Sequence, residues 1–159
     1  MFRDGLTPVP PSWHFSEDLL QAWPLTSKGL SVSNVMIIVK SWVNAWCTTT
    51  RYHEAVQWPC IFGCDGADDS LCHYLNCPHL WSRVGAHAWT HVDPAIRLGL
   101  DRPTPLRLKL LVVASRCYHA LKFGHRGVIE QAISDGNFSH VQSHLRILAE
   151  TFRQELGVT

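Results

Sequence analysis

No run of apolar residues in the chain approaches the roughly 18 that a membrane-spanning helix needs. The longest aliphatic stretches are Val35–Val39 and Leu110–Ala114, so no membrane association is expected. Where a secretory signal would carry an apolar core, the N-terminus has Asp4 and several prolines. An intracellular location, nucleus or cytoplasm, is the expectation. In such a reducing setting the six cysteines are expected to be metal ligands or buried thiols rather than disulfides. Net charge is scarce too, formally +1 over 159 residues, and does not by itself imply nucleic-acid binding. There is no Gly-rich phosphate loop and no recognisable Ser-His-Asp or Cys-His pairing. The sequence therefore predicts a protein that is not an enzyme, and it identifies no small-molecule substrate. Internal repeats, low-complexity tracts and convincing strands are also missing.

Apolar residues make up 46% of the chain, and there are seven tryptophans, which suits a folded domain with large aromatic anchors. Residues 1–30 hold Pro8, Pro10, Pro11 and Pro24 and read as a partly disordered lead-in, with a turn of helix after Ser16. A helical domain is expected over 31–159. Its first helix is predicted at about 34–48, capped by Ser33, with Val35, Val39, Trp42, Val43 and Trp46 at helical steps. A short helix is expected to start near Asp69 as cap. Another should start at Pro78, with Leu80, Trp81, Val84 and Ala88 on one face. Residues 91–104 read as a loop. Thr104 as cap, Pro105 as first helical residue and Gly124 as stop delimit a long helix over 105–123. Leu106, Leu110, Val113, Cys117 and Leu121 form its apolar stripe. A short helix follows, ending at Gly136. Ser139 and Gln142 have capping-box spacing and open a last helix over 139–156, closed by Gly157.

The chemistry sits in a module at 58–81. Cys60 and Cys64 are separated by three residues, and His73 and Cys77 follow after an eight-residue gap. Zinc prefers four tetrahedral thiolate and imidazole ligands. Gly63 permits the tight turn that lets the first two sulfurs converge, with a short hairpin as one way to form it. If 70–77 is helical, His73 and Cys77 project from one face, a turn apart. The sequence thus predicts a mainly α, small helical domain organised around one structural zinc in a CCHC knuckle. Three thiolates and one imidazole leave no open position for a reacting water. Cys72, adjacent to His73, points elsewhere on a helix and reads as a buried thiol, with replacement of one of the four ligands as the alternative. A zinc deaminase is excluded, because His53 and Glu54 are adjacent and lie too close to Pro59 and Cys60.

These features together, from Trp42 and Trp46 through Thr48–Arg51, the cysteine pair, Asp68 and Asp69, His73-Tyr74-Leu75 and Cys77-Pro78-His79-Leu80-Trp81, form a pattern. It resembles the zinc-binding region downstream of the reverse transcriptase domain in non-LTR (LINE-type) retrotransposon polyproteins. There the first cysteines are commonly two residues apart, against three here. The resemblance covers about residues 42–81 and implies an accessory domain that contacts RNA or DNA. The polymerase is not present: Ala67-Asp68-Asp69 has no flanking hydrophobic hairpin, and Asp69 reads as a solvated cap. No lysine has an acidic residue two positions before it, so the nuclease of related elements is not visible either.

Charge is unevenly placed. Residues 97–126 carry seven Lys/Arg against one Asp/Glu. Arg107, Lys109, Arg116, His119, Lys122 and Arg126 are the candidate nucleic-acid contacts, a row able to neutralise phosphates. The competing reading is a protein-interaction or purely structural zinc domain. His140 and His144, four apart in the last helix, are a weaker candidate for a second metal site.

Overall fold

The computed structural model describes residues 23–24, 27–85, 92–101 and 103–158. The expected helical turn after Ser16, and Ala88 on the face predicted for the helix from Pro78, lie outside these. Among the described residues there are seven helices and no strand, so the protein is mainly helical, as expected.

Helix α1, Val32–Trp42, starts two residues earlier than predicted, because Ser31 and not Ser33 accepts the Asn34 N–H. It also ends earlier. Asn44 takes the left-handed conformation at φ 51, a role that asparagine tolerates well. The Ala45 N–H reaches back to Lys40 O at 2.7 Å, and that of Asn44 to Ser41 O at 3.2 Å. This Schellman closure sends the chain away before Trp46, which is buried in the core from a loop while Trp42 is only half-buried.

Helix α2, Leu71–Tyr74, is capped by Ser70, whose Oγ accepts from His73 N. Asp69, the expected cap, is instead fully buried. Helix α3, Pro78–Val84, has Cys77 as its cap position and stops at Gly85 with φ 119. Within the expected loop lies a short helix, α4, Pro94–Arg97, begun by Asp93 accepting from Ala95 N.

Helix α5, Pro105–Gly124, starts as predicted, with Thr104 Oγ1 accepting from Arg107 N, and runs one residue further than predicted, to include Gly124 before its cap at His125. Its burial is wider than a stripe. Leu108, Leu111, Val112, Ala114, Ser115 and Tyr118 are buried as well as the predicted residues, and only Leu106 of the stripe is exposed. The reason is its position: α5 packs against α1, α3 and α4, and against α6 (Arg126–Asp135) and α7 (Ser139–Glu155). A helix covered on several sides must be apolar nearly all round. Helix α6 ends at Gly136 as predicted. Helix α7 makes no capping box; Gln142 Nε2 instead donates to Phe62 O at 3.2 Å.

Candidate metal centre

The cysteine segment is a tight turn and not a two-stranded hairpin. Its base is one antiparallel bridge, Pro59 with Asp68. Cys60 N donates to Ala67 O, and Asp69 N donates to Trp58 O. Gly63 has φ 87, and the Phe138 ring packs where a side chain at that position would stand. The second pair of candidate ligands departs from expectation. His73 lies in α2, but that helix has ended before Cys77, whose extended backbone opens α3. A helix break between them, rather than one continuous face, brings the imidazole and the thiol together.

The ligand-type atoms of Cys60, Cys64, His73 and Cys77 all lie within 4.8 Å of one another. Sulfurs bound tetrahedrally to zinc at about 2.3 Å would stand about 3.8 Å apart. The Cys60–Cys77 sulfurs are 3.9 Å apart and the Cys64–Cys77 pair 3.6 Å, far beyond the roughly 2.05 Å of a disulfide. His73 Nε2 is buried and has no hydrogen-bond partner, as a ring nitrogen meant for a metal would be. The four residues could therefore hold a metal ion. Cys72 is excluded from the cluster and is exposed, which corrects its expected burial: one step along α2 from His73 carries it to the outer side.

Three sulfurs this close cannot all be anionic without a cation among them. Hydrogen bonding from Cys77 draws the Cys60 thiol down to about 4, against the opposing effect of burial. Cys64 is lowered by Cys77 in the same way, while burial first, and then Cys60 and Cys64, push Cys77 up. Burial alone would lower His73, but the Cys60 and Cys64 sulfurs outweigh it and raise it. The Phe62 N–H reaches the Cys60 sulfur at 3.4 Å.

A second cluster, not found from sequence, anchors this centre to α5. Asp69 accepts from Thr49 N at 2.7 Å, Tyr74 OH at 2.7 Å, Tyr118 OH at 2.9 Å and Lys122 Nζ at 2.6 Å. Tyr74 OH also accepts from Ile61 N inside the cysteine turn. The spacing of Tyr118 and Lys122, four apart on α5, is the one sequence signal that could have pointed here.

This network removes Lys122 from the expected basic row, since a buried ammonium facing Asp69 is not available to a phosphate. Arg116 pairs with Glu155 at 2.7 Å and lies over the Phe152 ring. His119 is half-buried beside Trp46, and burial lowers its pKa. Arg126 is exposed but pairs with Glu130 at 2.8 Å. Arg107 and Lys109 are half-buried. The six residues do not form one free row. His144 packs against His125, ring centroids 4.5 Å apart, and its Nδ1 is 2.8 Å from His140 O. No third ligand-type residue joins His140 and His144 among the described residues.

No protein-family model, curated protein or solved structure matches the chain. No helix among the described residues is long and apolar enough to cross a membrane.

Proposed function

We propose that the protein is a structural zinc domain in which one Zn2+, held by Cys60, Cys64, His73 and Cys77, ties the cysteine turn to the helical core. The observation that carries this reading is the convergence of four soft and borderline donor atoms within 4.8 Å, a donor set that suits zinc. With four protein ligands the ion has no vacancy for substrate, so its contribution is folding energy rather than chemistry. The exposed apolar residues Val32 and Met36 on α1 and Val43 at its C-cap support a role in contacting another protein. Metal analysis of the purified chain tests the reading: about one zinc per chain is expected, lost in Cys64→Ser. A metal-free protein whose thermal unfolding ignores chelator would sink it.

Contact with RNA or DNA is the second reading, and the proposed kinship with retroelement zinc regions belongs to it. The observation favouring it lies away from α5. Arg83 and Arg146 are exposed, and neither has a carboxylate within ion-pair distance among the described residues. They line one cleft with Ser139, Gln142 and Ser143. A mobility shift with generic RNA and single-stranded DNA at low salt tests this reading, and absence of any shift removes it.

A further inference from the structure

Helix α4 ends on Arg97, which is 1% exposed. Its Nε, Nη1 and Nη2 are all buried, and none has a hydrogen-bond partner. A guanidinium cannot shed its charge and carries five N–H donors, so this arrangement is unfavourable unless a counter-charge lies close by. The indole of Trp81 lies against it, 4.1 Å from the ring centroid. That contact covers one face of the guanidinium but supplies no anion. No carboxylate pairs with Arg97 among the described residues. Asp69 is taken by Lys122, Glu155 by Arg116 and Glu130 by Arg126.

Trp81 links Arg97 to the candidate metal centre. Trp81 stands one turn after Cys77 in α3: its N–H donates to Cys77 O at 3.1 Å, and its Nε1 donates to Tyr74 O at 2.8 Å. The residue that carries the guanidinium on its ring is thus hydrogen-bonded to the candidate ligand segment. Three thiolates and a neutral imidazole around Zn2+ sum to one net negative charge, and one guanidinium matches it.

We infer that Arg97 is the counter-ion of a Cys3His zinc cage, held on the face of Trp81 and acting through space rather than by hydrogen bonding. This rests on the zinc reading above and goes beyond it by assigning a charge-balancing residue outside the ligand set. Such a residue makes the buried, negatively charged cage less unfavourable and so raises affinity for the metal. It is a positioning residue for charge, not a ligand.

Competition with a chromophoric chelator, run on the full chain, tests the inference. Arg97→Met should weaken zinc binding by about 10- to 100-fold, the range typical of outer-shell partners of a metal site. Arg97→Lys keeps the charge and should retain most of the affinity. A second measurement guards against a variant that is merely misfolded. Cys64→His makes the cage neutral, so Arg97→Met should cost markedly less affinity and stability in that background than in the wild type. Equal affinity of the Met and wild-type proteins, or strict additivity of the two changes, would overturn the inference while leaving the zinc reading intact. Absence of zinc from the wild-type protein would instead remove the reading and the inference together.

Discussion

Lys122 Nζ lies 2.6 Å from Asp69 Oδ2, with both side chains almost wholly withdrawn from water. The pair joins residues 53 positions apart, one beside the cysteine turn and one near the end of α5. Asp69 has four donors around it, enough to use all the lone-pair sites of a carboxylate. Trp58 and Tyr118 flank the ammonium, with ring centroids 5.4 and 5.7 Å away. A buried ion pair of this kind is not strongly stabilising against an apolar replacement, but breaking it from one side strands a charge.

The first prediction follows from that asymmetry. Asp69→Asn should lower the unfolding free energy by about 3–5 kcal/mol, because Lys122 loses its counter-charge. Lys122→Met should also destabilise, leaving Asp69 with its two tyrosines and Thr49 N–H. Combining them should restore part of the loss. Urea unfolding of the zinc-supplemented proteins measures all three, and strictly additive losses would show that the two groups are not coupled.

A second prediction concerns the turn that aims the sulfurs. A methyl group at Gly63 would stand 2.6 Å from Phe138 Cγ, at a backbone φ of 87. Gly66 also has positive φ, 65, but nothing lies within 4 Å of an added methyl there. Gly66→Ala should therefore carry only the conformational penalty, about 1–3 kcal/mol, and Gly63→Ala more than that. Equal losses in urea unfolding would mean that Phe138 does not pack on the turn as described.

Much of this architecture can be read from local signals. Thr104 and Pro105 set the start of α5, and Gly124 marks its end to within a residue, because caps and stops act within a turn of the residues they punctuate. The four candidate ligands are legible for a related reason: metal spacing is a property of short segments. What cannot be read is long-range. Nothing near Asp69 in sequence announces Lys122, so a buried carboxylate has the local signature of a solvated cap. The basic row from Arg107 to Arg126 is a related case, since charge counting does not say which cations the fold pairs internally, as it does Arg116, Lys122 and Arg126. The end of α1 is a different case. Asn44 is a visible stop signal, but helical periodicity continuing to Trp46 masks it.

Nucleic-acid binding, should it occur, is predicted to depend on Arg83 and Arg146. Changing both to Gln should make the salt dependence of binding shallower, by about 0.7–0.9 in logarithmic slope for each phosphate that is no longer neutralised. Arg126→Gln should have a smaller effect, because that guanidinium already faces Glu130. Fluorescence anisotropy across a salt series checks this, and an unchanged slope in the double variant would remove the cleft from consideration.

His119 should give stability a pH dependence of known sign. Burial lowers its pKa in the fold, helped by the charges of Lys40 and Lys122 and opposed by the Ser115 carbonyl. The unfolded chain has an imidazole near 6.5. As pH falls through and below that value the unfolded state takes up the proton first, so the stability that neutral His119 supplies is full above about 6.5 and is lost on the acid side. His119→Gln should show a shallower loss between about pH 7 and 5.5 than the wild type. Parallel stability–pH curves for the two proteins would contradict this.

Metal removal should be visible cysteine by cysteine. Cys72 is exposed and Cys117 is buried, its thiol pushed up to about 12 by that burial, so the first should alkylate readily and the second should resist. In zinc-loaded protein the sulfurs of Cys60, Cys64 and Cys77 are engaged by the ion and should react slowly. A chelator removes that protection, and the consequences should spread along defined paths. The Phe138 ring loses its seat on Gly63, Gln142 loses the Phe62 carbonyl, and α3 loses the fixed Cys77 at its start. Peptide mapping after iodoacetamide treatment should therefore show Cys60, Cys64 and Cys77 becoming modified on chelation, together with faster amide exchange in α3 and the first turns of α7. If those three cysteines react as fast as Cys72 before any chelator is added, they are not metal-bound in the purified protein.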